Sequence, residues 1–405
     1  MSRTDAPPRT DEASFVIRTA PGIEAFGAEE WSRLAGASKE FANRYNPFLS
    51  HAFLSSLEDS GCVGERAGWI PQHLRLETDR GSLVGAAPCY VKLHSQGEYV
   101  FDHGWADAFE RAGGRYYPKL QVAVPFTPAT GPRLLHDAAL DGGPVRQALA
   151  EGLKALNAKI GTSSVHVTFA EAGDIAALEQ AGFLHRTDQQ FHFRNEGYGS
   201  YDDFLATLAS RKRKALKRER REALGDGITC EWLTGRDLTE AVWDDFFAFY
   251  VDTGSRKWGR PYLNRTFFSL IGERMADDVL MVMARRDGRA IAGAINFIGS
   301  DTLYGRNWGC IEDHPFLHFE VCYHQAIDFA IARGLKVVEA GAQGEHKLAR
   351  GYMPVTTHSA HHIAHPGLRR AVADYLERER EDVAEIGEFL EERGPFKREG
   401  GSVGE

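Results

Sequence analysis

The sequence predicts an α/β protein of two tandem domains, each a mixed, mostly antiparallel sheet flanked by helices. Three observations carry this. The chain has 405 residues, more than one core ordinarily organises. Strand and helix signals alternate along it. The same order, helices first, then an antiparallel meander, then a helix and a strand, occurs twice, which suggests an internal duplication.

In the first half, a strand at Ser14–Thr19 precedes helices at Ile23–Ala35 and His51–Asp59, the latter begun by Pro47 and Ser50. His73–Glu77 and Leu83–Leu93 read as strands joined by TDRG, where Gly81 supplies positive φ. A helix at Pro144–Lys159, the buried strand SSVHVTF, a helix at Ile175–Gln180 and the strand QQFHFR complete this half. The second half opens with a long helix at 201–224, the strand ITCEWL and helices at Thr239–Tyr250 and Asn264–Ala276. The run VLMVMARRDGRAIAGAINFIGSDTLYGRNWG reads as three antiparallel strands. A helix at Phe319–Arg333 with one apolar face ends at Gly334, and LKVVEAG returns parallel to the sheet through a right-handed crossover. The domains expected are 14–196 and 200–366, followed by a charged helix at 367–393, with disordered tails at 1–13 and 394–405.

Hydrophobic residues make up 43% and charged residues 26%, an ordinary globular balance. No apolar run approaches the roughly 20 residues of a spanning helix, and no signal-type segment opens the chain, so a cytoplasmic location is expected. The five cysteines are scattered without a CxxC pair, and we expect reduced thiols. Net charge is −9, which excludes a protein coating nucleic acid over its whole surface. His358, His361, His362 and His365 alternate across a strand so that no three converge, and no metal site is expected.

The strings NPFLSHAFLSSLE, FDHGWADAF, PFTPATGPRLL, SRKRKALKRERR and EAGAQGEHKLARGYMP, spread from about residue 46 to 363, resemble those of the FemAB-like peptidoglycan biosynthesis/recognition group. That group lies within the GNAT superfamily, and the resemblance implies two tandem GNAT-like domains. Fem ligases transfer an aminoacyl group from tRNA to an amine of a cell-wall precursor, whereas ordinary GNAT enzymes use acetyl-CoA. The acetyl-CoA pattern Q/RxxGxG/A, whose N–H groups hold a pyrophosphate, is replaced here by NWGCIEDHPFLHFE, with one glycine, two acids and a proline.

Residues 211–221 are basic at eight of eleven positions: Arg211, Lys212, Arg213, Lys214, Lys217, Arg218, Arg220 and Arg221. Like charges one turn apart cost such a helix roughly 0.2–0.5 kcal/mol per pair, and an RNA backbone would relieve that cost. A solvated helix face is the alternative. The segment from Glu339 to Tyr352 follows a buried strand. In it Glu345 or His346 is the candidate base, Lys347 or Arg350 the electrostatic partner, and Glu339, Gln343, Arg350 and Tyr352 are candidate substrate contacts. Asp102 and His103 form an acid–imidazole pair beside Trp105, which can stack on a ring. Alternation places Tyr304, Arg306 and Trp308 on one sheet face as a cleft floor, with Asn307 between them. Arg256, Lys257 and Trp258 sit in a loop that could reach the same cleft.

The expected reaction is direct attack of an amine on an activated carbonyl, with aminoacyl-tRNA as co-substrate and no cofactor. The acceptor is a wall precursor, an amino acid, or a second aminoacyl group giving a dipeptide or cyclodipeptide. Two alternatives stay open: an acetyl-CoA-dependent N-acetyltransferase, and a non-catalytic binding protein on the same scaffold.

Overall fold

The structure, a computed structural model, describes residues 15–36, 45–257, 261–342 and 344–397. In chain order the first half contains β1 (Phe15–Ala20), α1 (Ala28–Leu34), α2 (His51–Asp59), β2 (Trp69–Pro71), β3 (His73–Thr78), β4 (Leu83–Ala87), β5 (Cys89–Lys92) and α3 (His103–Arg111). It continues with β6 (Lys119–Val122), β7 (Leu135–His136), α4 (Gly142–Ile160), β8 (Ser164–Val167), α5 (Ala172–Gln180) and β9 (Leu184–Arg194). The second half runs through α6 (Tyr201–Thr207), α7 (Ser210–Ala223), β10 (Ile228–Leu233), α8 (Glu240–Lys257), α9 (Arg265–Arg274), β11 (Val279–Arg286), β12 (Arg289–Ile298) and β13 (Thr302–Cys310). Then come α10 (Leu317–Phe319), a π-turn at Glu320–His324, α11 (Gln325–Arg333), β14 (Val337–Glu339), β15 (Met353–Ile363) and α12 (Pro366–Glu392).

Local chemistry sets these boundaries. Ser50, Asp141, Ser200 and Asn264 accept N–H bonds at the starts of α2, α4, α6 and α9, where the first-turn donors have no intrahelical partner. Where the expected elements fail, a tertiary partner or a missing donor is responsible. The helix expected at Ile23–Ala35 is a 3₁₀ turn and then α1, parted by extended Gly27. The strand expected over Leu83–Leu93 breaks at Pro88, which lacks an N–H, and its two pieces join different sheets. The helix expected at 201–224 breaks at Leu208, which bridges to Phe396, while the Ala209 N–H donates to the Pro395 carbonyl at 3.0 Å. The tail therefore docks through residue 397 and is not free from 394. Asp102 stands at the N-cap position of α3, which carries His103 and Trp105 in its first turn.

Four strands, in the order β1-β3-β4-β7, make one sheet, and eleven make the other, in the order β10-β11-β12-β13-β14-β9-β15-β8-β6-β5-β2. Each half contributes one parallel pair, β6 with β8 and β13 with β14. The halves exchange strands. β15, from the second half, lies between β8 and β9 of the first, while β9 pairs with β14 of the second. The sheet is thus unbroken where a boundary near residue 196 was expected.

Gly309 fixes how closely α8 approaches β13, because a Cβ there would lie 2.3 Å from the Phe249 carbonyl. Gly309→Ala is expected to lower stability by about 1–3 kcal/mol. Gly387→Ala, within α12 and facing only the flexible Gln189 amide, is expected to raise it by about 0.5–1 kcal/mol. Urea unfolding of the two variants measures both.

Candidate active site between the two halves

β13 and β14 pair over only three residues, Thr302 to Tyr304 against Val337 to Glu339, and then diverge. β13 also bulges: Asn296 pairs with Gly305, but Ala294 pairs with Trp308, so Arg306 and Asn307 face the single residue Ile295. A bulge re-aims side chains and leaves one residue off the ladder. It breaks the alternation expected for Tyr304, Arg306 and Trp308. Tyr304 packs on Phe48 with ring centroids 5.1 Å apart, whereas Trp308 joins the core beyond the other face, 5.2 Å from His318.

Glu339 ends β14 at the mouth of the opening, with 12% of its side chain exposed. His192 of β9 pairs with it in register and brings Nε2 to 4.0 Å from the carboxyl. From the first half, the Thr130 N–H faces the carboxyl. Arg306 donates to the Phe126 carbonyl and lies 5.9 Å from the Tyr99 ring. Tyr262 stacks on Phe126, 4.9 Å away and 13° from parallel. Lys347 donates to the Gly341 carbonyl at 3.0 Å, two residues beyond Glu339.

Burial pushes the Glu339 carboxyl up to about 8, against the opposing pull of Arg306, Arg133 and the Thr130 N–H. Burial likewise pushes His192 down to about 4 and the Lys347 ammonium down to about 8. A carboxyl that titrates near neutrality, a solvent route and an adjacent guanidinium can take a proton from an amine and steady a developing oxyanion.

The expected residues divide into those that meet here and those that do not. Glu339 and Arg306 meet at the opening, Lys347 stands at its edge, and Asn307 shares the β13 bulge with Arg306. Asp102 belongs elsewhere. It is bound to Lys119 at 2.6 Å and the Tyr116 hydroxyl at 2.7 Å, and Lys119 and His166 hold it well below the usual carboxylate range despite burial. From the preceding loop Tyr99 reaches the opening, its ring 5.9 Å from Arg306. His103 is exposed and stacks on Phe101, while Trp105 is wedged between His166 and His361. Tyr352 is fully buried, its hydroxyl on the Tyr323 carbonyl. His346 is exposed against the Tyr323 hydroxyl at 3.1 Å. Arg256 pairs with Asp252 and the Cys310 carbonyl. Gln343 and Trp258, with the side chains of Glu345 and Lys257, lie outside the described residues.

Helix α7 has two faces. Inward, Glu219 grips Arg350 at 2.6 and 2.8 Å and His324 at 2.8 Å, and Arg350 lies 3.5 Å over the Phe319 ring. Arg220 grips buried Glu320 of the π-turn and Asp328. Arg220 is therefore neutralised by the protein itself, and Arg350 is a structural cation. Outward, Lys217 and Arg218 make exposed pairs with Asp202 and Glu222, contacts worth little in water. Arg211, Lys212, Arg213, Lys214 and Arg221 form no ion pair with the described residues.

Sequence reasoning missed His192, Tyr99 and Arg133. His192 left a trace, since Gln190 and His192 put two polar groups on one face of a strand. Nothing local marks the other two.

Two halves, each with one parallel strand pair in a mostly antiparallel sheet flanked by helices, define the fold class: a tandem GNAT-like architecture. A profile of the FemAB-like family, described as peptidoglycan biosynthesis/recognition, matches residues 22–398, and the chain belongs to that family. Solved structures of similar fold include FemX, at 11% identity and TM-score 0.54, covering 86% of this chain and 98% of that one. Another is the C-terminal domain of an Agrobacterium fabrum protein named a lysylphosphatidylglycerol synthetase, at 10% identity and TM-score 0.52, covering 86% and 96%. At these identities the likeness is one of fold. No curated protein matches the chain in sequence. Among the described residues, no helix is long and apolar enough to cross a membrane.

Removing Arg220 would leave Glu320 buried and unpaired, so Arg220→Met is expected to cost about 3 kcal/mol or more. Arg221→Met should stay within about 0.5 kcal/mol of the parent. Chemical denaturation of both variants tests the two-faced reading of α7.

Proposed function

We propose that the chain forms an amide by moving an aminoacyl group from aminoacyl-tRNA to an amine acceptor, with Glu339 as the base. One observation carries the reading. The Glu219–Arg350 grip ties the cationic helix to the segment that sets Lys347 beside the Glu339 opening, so a polyanion held along α7 would lie on an element fixed to the site. The segment before α10 supports this choice of donor. Glu312 there takes Arg286 and His314, and the N–H groups of Leu317, Phe319 and Glu320 turn to nearby carbonyls. Such a segment offers an anionic pyrophosphate no row of free donors.

In this reaction the acceptor ammonium loses a proton to the Glu339 carboxylate, and its nitrogen attacks the ester carbonyl of the donor. The tetrahedral oxyanion faces Arg306 and the backbone of the β13 bulge. The C–N bond is then in place. As the intermediate collapses the ester C–O bond breaks, the departing ribose oxygen takes the second proton that the nitrogen gives up on becoming an amide, and Glu339 returns the first to solvent. On this reading the protein works in the cytoplasm, and wall precursors and amino acids are the acceptors to assay first.

Because the base must be ionised, transfer should rise with pH and level off above about 8. Glu339→Gln should lower the rate by about 10²–10⁴ and remove that rise. A rate unaffected by Glu339→Gln would eliminate it as the base. Reversing Arg211, Lys212 and Lys214 to Glu should abolish tRNA binding and flatten its salt dependence by a slope of about 0.7–0.9 per lost phosphate contact. Unchanged tRNA affinity, or calorimetric binding of CoA, would replace this donor with acetyl-CoA.

A further inference from the structure

The parallel pair of the first half, β6 with β8, also opens at its end, but there the chain fills its own opening. After β6 it runs through Phe126, Thr127, Pro128, Ala129 and Thr130 and returns at Arg133, whose side chain is 1% exposed. The Arg133 guanidinium donates to the carbonyls of Thr168 at 2.9 Å, Gly131 at 3.0 Å, Pro132 at 3.2 Å and Ala129 at 2.6 Å. Its own N–H and that of Leu134 donate to Asp174. No shorter cation reproduces such a planar fork.

The loop held in this way carries two of the first half's contacts with the Glu339 opening. Phe126 supplies the carbonyl on Arg306, and the Thr130 N–H faces the Glu339 carboxyl. Gln190 of β9 and Asn46 hold the Pro128 and Thr130 carbonyls at 2.7 and 3.2 Å. Phe126 sits at φ +58°, a left-handed conformation that a bulky residue keeps only where its surroundings impose it.

We propose that Arg133 is a positioning residue: by clamping the Phe126–Pro132 loop it sets Thr130 on Glu339 and Phe126 on Arg306, joining the plugged opening of one half to the open one of the other. This rests on Glu339 being the working group. The groups facing Glu339 are Arg306 and Tyr304 from β13, His192 from β9, and Arg133 and the Thr130 N–H from the loop.

The test reads the Glu339 carboxyl directly in the full chain. Protein labelled with ¹³C at glutamate carboxyls is titrated by NMR, with Glu339→Gln assigning the resonance. The parent midpoint is expected near 8. Arg133→Met should raise it by about one unit, roughly a tenfold smaller ionised fraction at pH 7, and Arg133→Lys should restore part of the difference. Thr130→Pro removes the single N–H and should shift the midpoint the same way, which keeps a test available if Arg133→Met does not fold. Lower thermal stability with an unmoved midpoint in these variants would overturn the positioning role. The transfer assay of Glu339→Gln is a separate arm. Full transfer there, with a shifted midpoint in Arg133→Met, would refute Glu339 as base while leaving Arg133 as the residue that positions it.

Discussion

The architecture depends on where β15 lies. Its pairing with β9, from Met353 against His192 to His361 against Leu184, and with β8 on its other edge, seats the end of the second half inside the sheet of the first. That placement leaves the far edge of β9 to meet β14, which brings His192 beside Glu339. A one-residue slip would turn His192 away and send buried side chains to the wrong face. The candidate site is thus assembled from both halves by strand pairing rather than by domains touching at their surfaces.

The duplicated architecture has two equivalent openings with different fates. In the first, Arg133 and the loop it holds occupy the space past β6 and β8. In the second, the bulge in β13 and the short pairing with β14 leave room for solvent to reach Glu339. The first half supplies rigidity, a backbone N–H and His192, the second Glu339, Arg306 and Lys347. Helix α7 shows a similar division on a smaller scale. Glu219 and Arg220 bind it to the π-turn and to Arg350, which frees the outward cations from any structural task.

Most of the fold was legible because it rests on local signals: the caps at Ser50 and Asn264, the hairpin glycine at 81, the apolar run of β11 and β12, the glycine that stops α11. The departures arise from partners distant in sequence. Leu208 breaks a helix because Phe396, far along the chain, pairs with it. Trp308 changes face because a bulge opposite Ile295 shifts the register. The strand exchange leaves no mark in periodicity, since the residue pattern of β15 does not say which neighbours it takes. At the site, the family strings led to the neighbourhood of Glu339 and Lys347. They also pointed to Asp102, whose charge is matched by buried Lys119 in a cluster of its own. Arg133 was invisible for a simple reason: an arginine after a proline reads as surface, and only the converging carbonyls of a folded loop make a buried guanidinium favourable.

The exchange of β15 has a consequence for any attempt to dissect the molecule. A fragment ending before α6 would leave β8 and β9 with vacant hydrogen-bonding rims and a gap one strand wide between them. The complementary fragment would carry β15 as a lone ribbon without a neighbour. Exposed rims of this kind recruit other chains, so the two halves, although alike in architecture, are obligate cohabitants that must be made, folded and inherited as one polypeptide.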